Sequence, residues 1–180
     1  RVCHSGSFLG GIPDPIIPGY ETVNGSLGHG LGVATGVALA LKRKNNTKEV
    51  FVLCGDGELH EGANWEAAMF ASHHQLDNLN LIVDDNSIAM LGRTNDIVSH
   101  GHLQDRFSSF GWQAEFVDGH DISALYHALS RMKARRENAP KVLIAKTIKG
   151  RGVPGLEDMP LSHIMAPKRE TLDALLELKS

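Results

Sequence analysis

Four short strand-like runs, residues 50–54, 79–83, 113–117 and 141–147, alternate along this chain with segments of helical periodicity. That alternation constrains the fold more than any other feature. A parallel connection between strands needs a crossover long enough to hold a helix, and crossover helices then cover the sheet. The expected architecture is therefore α/β, a parallel sheet with helices on both faces. Residues 50–54 read as a buried parallel strand, because the apolar run is continuous and Gly55-Asp56-Gly57 closes it. Any ligand belongs at the carboxyl ends of the strands.

The helices are expected over residues 26–45, 63–74, 103–110, 121–136 and 168–178. In the first, Leu27, Leu31, Ala34, Val37, Ala38 and Leu41 recur at helical spacing and Lys42-Arg43-Lys44 suits its C-terminus. Gly28, Gly30, Gly32 and Gly36 each weaken an isolated helix by about 1 kcal/mol relative to alanine, so they are expected to serve close contact. Asp121 is placed to cap the fourth helix, with Arg131, Lys133, Arg135 and Arg136 in its last turns. Residues 1–24, with Pro13, Pro15 and Pro18, read as a long ordered loop, as does the stretch through Gly101.

Length and composition set the remaining bounds. A chain of 180 residues with 42% hydrophobic content can bury a core as one domain without disulfides or a structural metal. Cys3 and Cys54 match no disulfide or zinc spacing, so a cytoplasmic setting is expected. The net charge of -3 offers no basic stripe for nucleic acid, and no apolar run reaches the roughly 20 residues of a membrane span.

Two strand ends carry the chemistry. Asp56 follows the first strand and Asn86, within Asp84-Asp85-Asn86, follows the second. If the strands are parallel neighbours, their ends lie about 4.8 Å apart, and a carboxylate and an amide oxygen can reach one small ion. Mg²⁺ takes hard oxygen ligands and keeps positions for phosphate oxygens. The Ile88 carbonyl is a candidate third ligand. Gly57, Gly62 and the helix start beyond them would turn backbone N–H groups toward the same anion. Alone, each motif is ordinary turn chemistry; paired at this spacing, they point to a metal-bridged diphosphate site.

The surrounding residues make the pattern specific. Thr22-Val23-Asn24-Gly25-Ser26-Leu27-Gly28-His29-Gly30, Gly55-Asp56-Gly57-Glu58-Leu59-His60-Glu61-Gly62, Leu76-Asp77-Asn78-Leu79, Phe110-Gly111-Trp112, Asp118-Gly119-His120-Asp121 and Thr147-Ile148-Lys149-Gly150 resemble transketolase over nearly the whole chain. The chain is most similar to the N-terminal, diphosphate-binding half, as in the short subunit of split bacterial enzymes. The resemblance implies thiamine diphosphate with Mg²⁺ (or Ca²⁺ or Mn²⁺) held by Asp56, Asn86 and the Ile88 carbonyl. By the same resemblance Leu27, Gly28 and Gly55 border the cofactor, Gly57 and Glu58 touch its diphosphate, and Met90 lies beside its rings. Glu61 falls where the family links the two active sites of a dimer. His163 matches a histidine that closes over diphosphate and substrate, and His29 stands where the family commonly has glutamine. Ile12 replaces the histidine of a His-Pro-Asp motif, so an altered ketose donor is expected.

What the resemblance implies about organisation is one thiamine-diphosphate-binding domain over residues 1–180, lacking the family's upstream segment and its pyrimidine-binding domain. Such a chain would transfer a two-carbon ketol unit between sugar phosphates only with a C-terminal partner subunit, in a homodimer or heterotetramer. An α-subunit of a 2-oxo-acid dehydrogenase and a non-catalytic scaffold of the same fold are the alternatives. Simpler roles are expected elsewhere: surface or boundary positions for His73 and His74, loop-fixing hydrogen bonds for Asp84 and Asp85, core positions for Trp65, Met69 and Phe70, and local packing or hydrogen bonding for His120.

Overall fold

A computed structural model describes residues 2–134 and 137–177. In chain order the elements are α1 (Gly30–Arg43), β1 (Val50–Gly55), a 3-10 turn (Gly57–His60), α2 (Gly62–His73) and β2 (Leu79–Asp85). A small hairpin of β3 (Ile88–Ala89) and β4 (Gly92–Arg93) leads into the single-turn α3 (Thr94–Ile97) and α4 (Leu103–Ser109). Then follow β5 (Gln113–Asp118), α5 (Ile122–Ala134), β6 (Lys141–Lys146) and α6 (Arg169–Glu177). The main sheet has the order β1-β2-β6-β5, with every neighbouring pair parallel.

On one face Leu31, Ala34 and Ala38 of α1, Ala68 and Ala71 of α2 and Phe107 of α4 bury against Val52, Leu81, Val83, Val142 and Ile144. On the other face Ala128 and Met132 of α5 cover Val117, Leu143 and Ala145. Central β6 is buried along nearly its whole length, as a strand covered on both sides must be. The expectation for residues 50–54 fails in part. β1 is an edge strand whose second face is uncovered among the described residues, leaving Phe51 46% and Leu53 69% exposed.

The first helix starts at Gly30, later than its periodicity suggests, because Gly28 takes φ +84°, outside helical space. Close contact explains Gly28 alone of the four: a Cβ on Gly30 would make an ordinary 3.6 Å contact with Val52, and beside Gly32 and Gly36 a Cβ would meet nothing within 4 Å. Asp121 caps α5 as expected, its Oδ1 accepting from the Ala124 N–H at 2.9 Å; Arg135 and Arg136 lie outside the described residues, as does Leu178. Met69 and Phe70 are 50% and 44% exposed, so only Trp65 of that trio packs against the core. The β3–β4 hairpin and α3 occupy the stretch expected to be loop, too short for any periodicity to register.

Candidate active site

The first two strands are neighbours in register, Gly55 opposite Asp84, and the Asp56 N–H donates to the Asp84 carbonyl at 3.0 Å. This pairing brings the two polar turns together at the carboxyl edge of the sheet. Asp56 is 2% exposed. Its Oδ1 accepts from the Gly57 N–H at 2.9 Å, whereas Oδ2 is buried with no hydrogen-bond partner among the described residues. Burial, the Asp85 charge and then the Asp84 charge push the carboxyl up to about 6, against the pull of the Gly57 and Ser87 backbone N–H groups. An orphaned buried carboxylate oxygen is costly, and a divalent cation is the partner its chemistry suits.

Asn86 directs Oδ1 to the Ile88 N–H at 3.0 Å and its Nδ2–H to Asp84 Oδ2 at 3.2 Å. Ser87 between them takes φ +63°, which turns the chain sharply into β3. Ile88 is 3% exposed and pairs with Arg93 across the hairpin. A Cβ on Gly57 would lie 3.0 Å from both Cα and Cβ of Ala89, so the turn after β1 packs directly on the hairpin. Asp84 and Asp85 fix loops, as expected: Asp84 Oδ1 accepts from the Thr147 hydroxyl, and Asp85 Oδ1 pairs with Lys146 Nζ at 3.1 Å.

Glu58 Oε1 accepts from the Gly28 N–H at 2.9 Å, joining the segment before α1 to the turn after β1. Gly28 packs against Glu61, whose Cβ would lie 2.5 Å from a Cβ there. Glu61 itself is exposed, as are His29, Leu27 (57%) and Met90 (61%). The Asn24 Nδ2–H donates to the Pro13 carbonyl at 2.8 Å, and the Ile12 side chain lies 3.7 Å from a Cβ position on Gly25, so Ile12 sits beside the same segment. His163 is exposed in the turn closed by Ile164 N–H to Leu161 O at 2.9 Å. No hydrogen bond among the described residues joins it to Asp56 or Asn86.

Behind Asp56 two histidines stack. The His100 ring, 6% exposed, donates from Nε2 to the Asp56 carbonyl at 3.0 Å and lies 4.3 Å from the His60 ring, which donates to the Val98 carbonyl at 2.8 Å. Burial and the neighbouring His60 push His100 below the usual imidazole range. Beside it opens a cavity of about 350 Å³ lined by Asp56, Asp85, Ser87, His100, Lys146 and Phe116, among others.

Residues 4–177 match the family model described as transketolase, thiamine diphosphate binding domain. The chain belongs to the transketolase family. Among curated relatives it is 39% identical over 175 residues to one of the subunits of the apulose-4-phosphate transketolase of Actinobacillus succinogenes, covering 97% of this chain and 63% of that one. It is 43% identical over 148 residues to a putative uncharacterized transketolase family protein of Sinorhizobium fredii, covering 82% of this chain and 53% of that one. The chain thus spans little more than half the length of these curated relatives. A Campylobacter jejuni transketolase crystal structure superposes with a TM-score of 0.86 at 31% identity, covering 98% of this chain and 29% of that one.

Within this transketolase-family domain, Gly28, Gly55, Asp56, Gly57, Glu58, Glu61, Asn86 and Ile88 converge at one sheet edge. Met90 and His163 are in the chain where the motifs put them, but nothing in their contacts draws them into the cluster. Three partners of the cluster carry no sequence signal of that role: His100 behind Asp56, and Lys146 and Thr147 at the end of β6. Thr147 lies inside a recognised motif, yet only the parallel β2–β6 pairing brings it to Asp84. His120 bonds locally, its N–H donating to Asp118 Oδ1 at 2.8 Å, and also reaches further, its Nε2 accepting from the Ile148 N–H at 2.8 Å, 28 residues on. No helix among the described residues is long and apolar enough to cross a membrane.

Proposed function

We propose that this domain is the cofactor-binding part of a transketolase that moves a two-carbon ketol unit from a ketose phosphate to an aldose phosphate. The observation that carries this reading is the buried, partnerless Oδ2 of Asp56 beside the Asn86 and Ile88 turn. Asp56, Asn86 and the Ile88 carbonyl would hold Mg²⁺, whose preference is for such hard oxygen donors with phosphate oxygens completing its shell. Bound thiamine diphosphate supplies the electron sink that ketol transfer requires.

The chain's own residues bind and orient. Asp56 supplies the negative charge at the cation. The Gly57 backbone packs tightly on Ala89 of the hairpin, where a Cβ would lie 3.0 Å away, and Glu58 holds the Gly28 segment against the site. Glu61, which packs on Gly28, is the candidate link to a second protomer's site; His29 and His163 are the candidates for substrate contact. Residues 1–180 act as one domain with a partner chain that carries the pyrimidine-binding domain, in a homodimer or heterotetramer. The Actinobacillus relative, named as one subunit of its transketolase, supports that division of labour.

Calorimetry tests the reading. Thiamine diphosphate should bind in the presence of Mg²⁺ and not in EDTA, Asp56→Ala should abolish that binding and Asn86→Ala should weaken it. Unchanged affinity in Asp56→Ala would refute the site. Ketol transfer should appear only when the complementary chain is added.

A further inference from the structure

Asp84 makes three bonds that converge on the two strand-end turns. Its carbonyl accepts from the Asp56 N–H at 3.0 Å, its Oδ2 from the Asn86 Nδ2–H at 3.2 Å, and its Oδ1 from the Thr147 hydroxyl. A carboxylate only accepts, whereas the Asn86 amide has one donating and one accepting end. Asp84 therefore selects the orientation of that amide. Turned over, the amide would set Oδ1 against the Asp84 carboxylate and its NH₂ against the Ile88 N–H, replacing two attractive contacts with two repulsive ones.

Thr147 in turn fixes Asp84. Its hydroxyl occupies the oxygen that Asn86 leaves free, and its N–H donates to the Asp85 carbonyl at 3.0 Å. The strand end is anchored further by the Gly119 N–H to the Lys146 carbonyl at 2.7 Å and by the Ile148 N–H to His120 Nε2 at 2.8 Å. With both oxygens engaged, Asp84 is held as an orienting acceptor although it lies two residues from Asn86.

We infer that Asp84, locked by Thr147, is the positioning residue that keeps the carbonyl oxygen of Asn86 turned away from itself and available as a cation ligand. The inference rests on the reading of Asp56 and Asn86 as ligands. It makes the turn after β6 part of the cation site although no residue of that turn is a ligand.

The test uses the full chain with thiamine diphosphate and Mn²⁺ as the probe, free Mn²⁺ being counted by electron paramagnetic resonance. A second readout is the water exchange of the Asn86 side-chain NH₂ in the metal-free chain, by nuclear magnetic resonance. Thr147→Val and Asp84→Asn should each weaken Mn²⁺ binding by about 10–100-fold and speed exchange of the Asn86 amide. Thr147→Ser, which keeps the hydroxyl, should restore both. If Asp56→Ala abolishes Mn²⁺ binding while Thr147→Val binds like wild type, the positioning role is wrong and the site stands. Weaker binding with unchanged Asn86 exchange also overturns it, since the loss would then not pass through the amide. Mn²⁺ binding indifferent to Asp56→Ala, or absent in the wild-type chain, removes the site and the inference together. Should Asp84→Asn fail to fold, the near-isosteric Thr147 pair decides.

Discussion

Replacing Asp56 by asparagine should stabilise the metal-free chain at neutral pH while destroying its cation site. The Asp56 carboxyl rises from an ordinary 3.8 to about 6 in the fold. At about 1.4 kcal/mol per pK unit, that difference corresponds to about 3 kcal/mol of stability withheld once the group ionises. Because the folded pKa is the higher one, the folded chain binds more protons than the unfolded chain between about pH 4 and 6, and this contribution is lost as pH rises through that window. Asparagine cannot ionise and removes the slope. It also introduces amide hydrogens at the partnerless Oδ2 position, at a cost of about 1–3 kcal/mol. The difference, variant minus wild type, should therefore run from a loss of about 1–3 kcal/mol at pH 4 to a gain of about 1 kcal/mol at pH 7.5. His100, pushed downward, acts oppositely, its stabilising effect fading as pH falls below 6.5, but both chains carry it and the difference cancels it. Urea unfolding in EDTA at pH 4, 5, 6, 7 and 8 measures the curve. A flat difference, or one that falls with pH, would refute the burial argument.

Four further outcomes follow from the same geometry. Gly57→Ala puts a methyl 3.0 Å from the Ala89 backbone, so the hairpin must move; calorimetry should show at least tenfold weaker Mg²⁺-dependent thiamine diphosphate binding, on the order of the loss when a supporting group is displaced. Trp112→Phe deletes the Nε1–H bond to the Ala68 carbonyl at 2.9 Å and should lower unfolding free energy by about 1–3 kcal/mol. Burial, with Glu58 beside it, pushes the Cys54 thiol up to about 12, so a thiol reagent at pH 8 should label only Cys3 in the native chain and both cysteines in urea. Ile12→His, beside the Gly25–Leu27 segment, should raise ketol transfer from a standard ketose phosphate in the reconstituted enzyme; an unchanged donor profile would rule out an altered donor pocket at Ile12.

The helices with a long apolar stripe were legible because burying one face of α1 or α5 needs only residues at helical spacing, and Leu31, Ala34 and Ala38 supply it locally. Asp121 was legible as a cap because that bond spans three residues. The pairing of Gly55-Asp56-Gly57 with Asn86 was also readable, since each motif ends a strand and parallel neighbours bring their ends together. The start of α1 was less so: nothing in its spacing shows that Gly28 leaves helical space to press on Glu61.

The sequence by itself determined the alternating α/β order, the strand ends that carry Asp56 and Asn86, and membership of the family, because these depend on local periodicity and contiguous motifs. Only the tertiary structure decided which strands lie at the edge. The run at residues 50–54 has the composition of a covered strand, yet β1 is flanked on one side only and keeps Phe51 and Leu53 in contact with solvent. The tertiary structure likewise decided what supports the ligands. His100 reaches the Asp56 carbonyl across 44 residues and Thr147 reaches Asp84 across 63. Hydrogen bonds of that span have no period and no fixed spacing; Thr147 meets Asp84 because β6 inserts between β2 and β5, and His100 meets Asp56 because the segment before α4 folds back over the end of β1, both set by how the whole core closes.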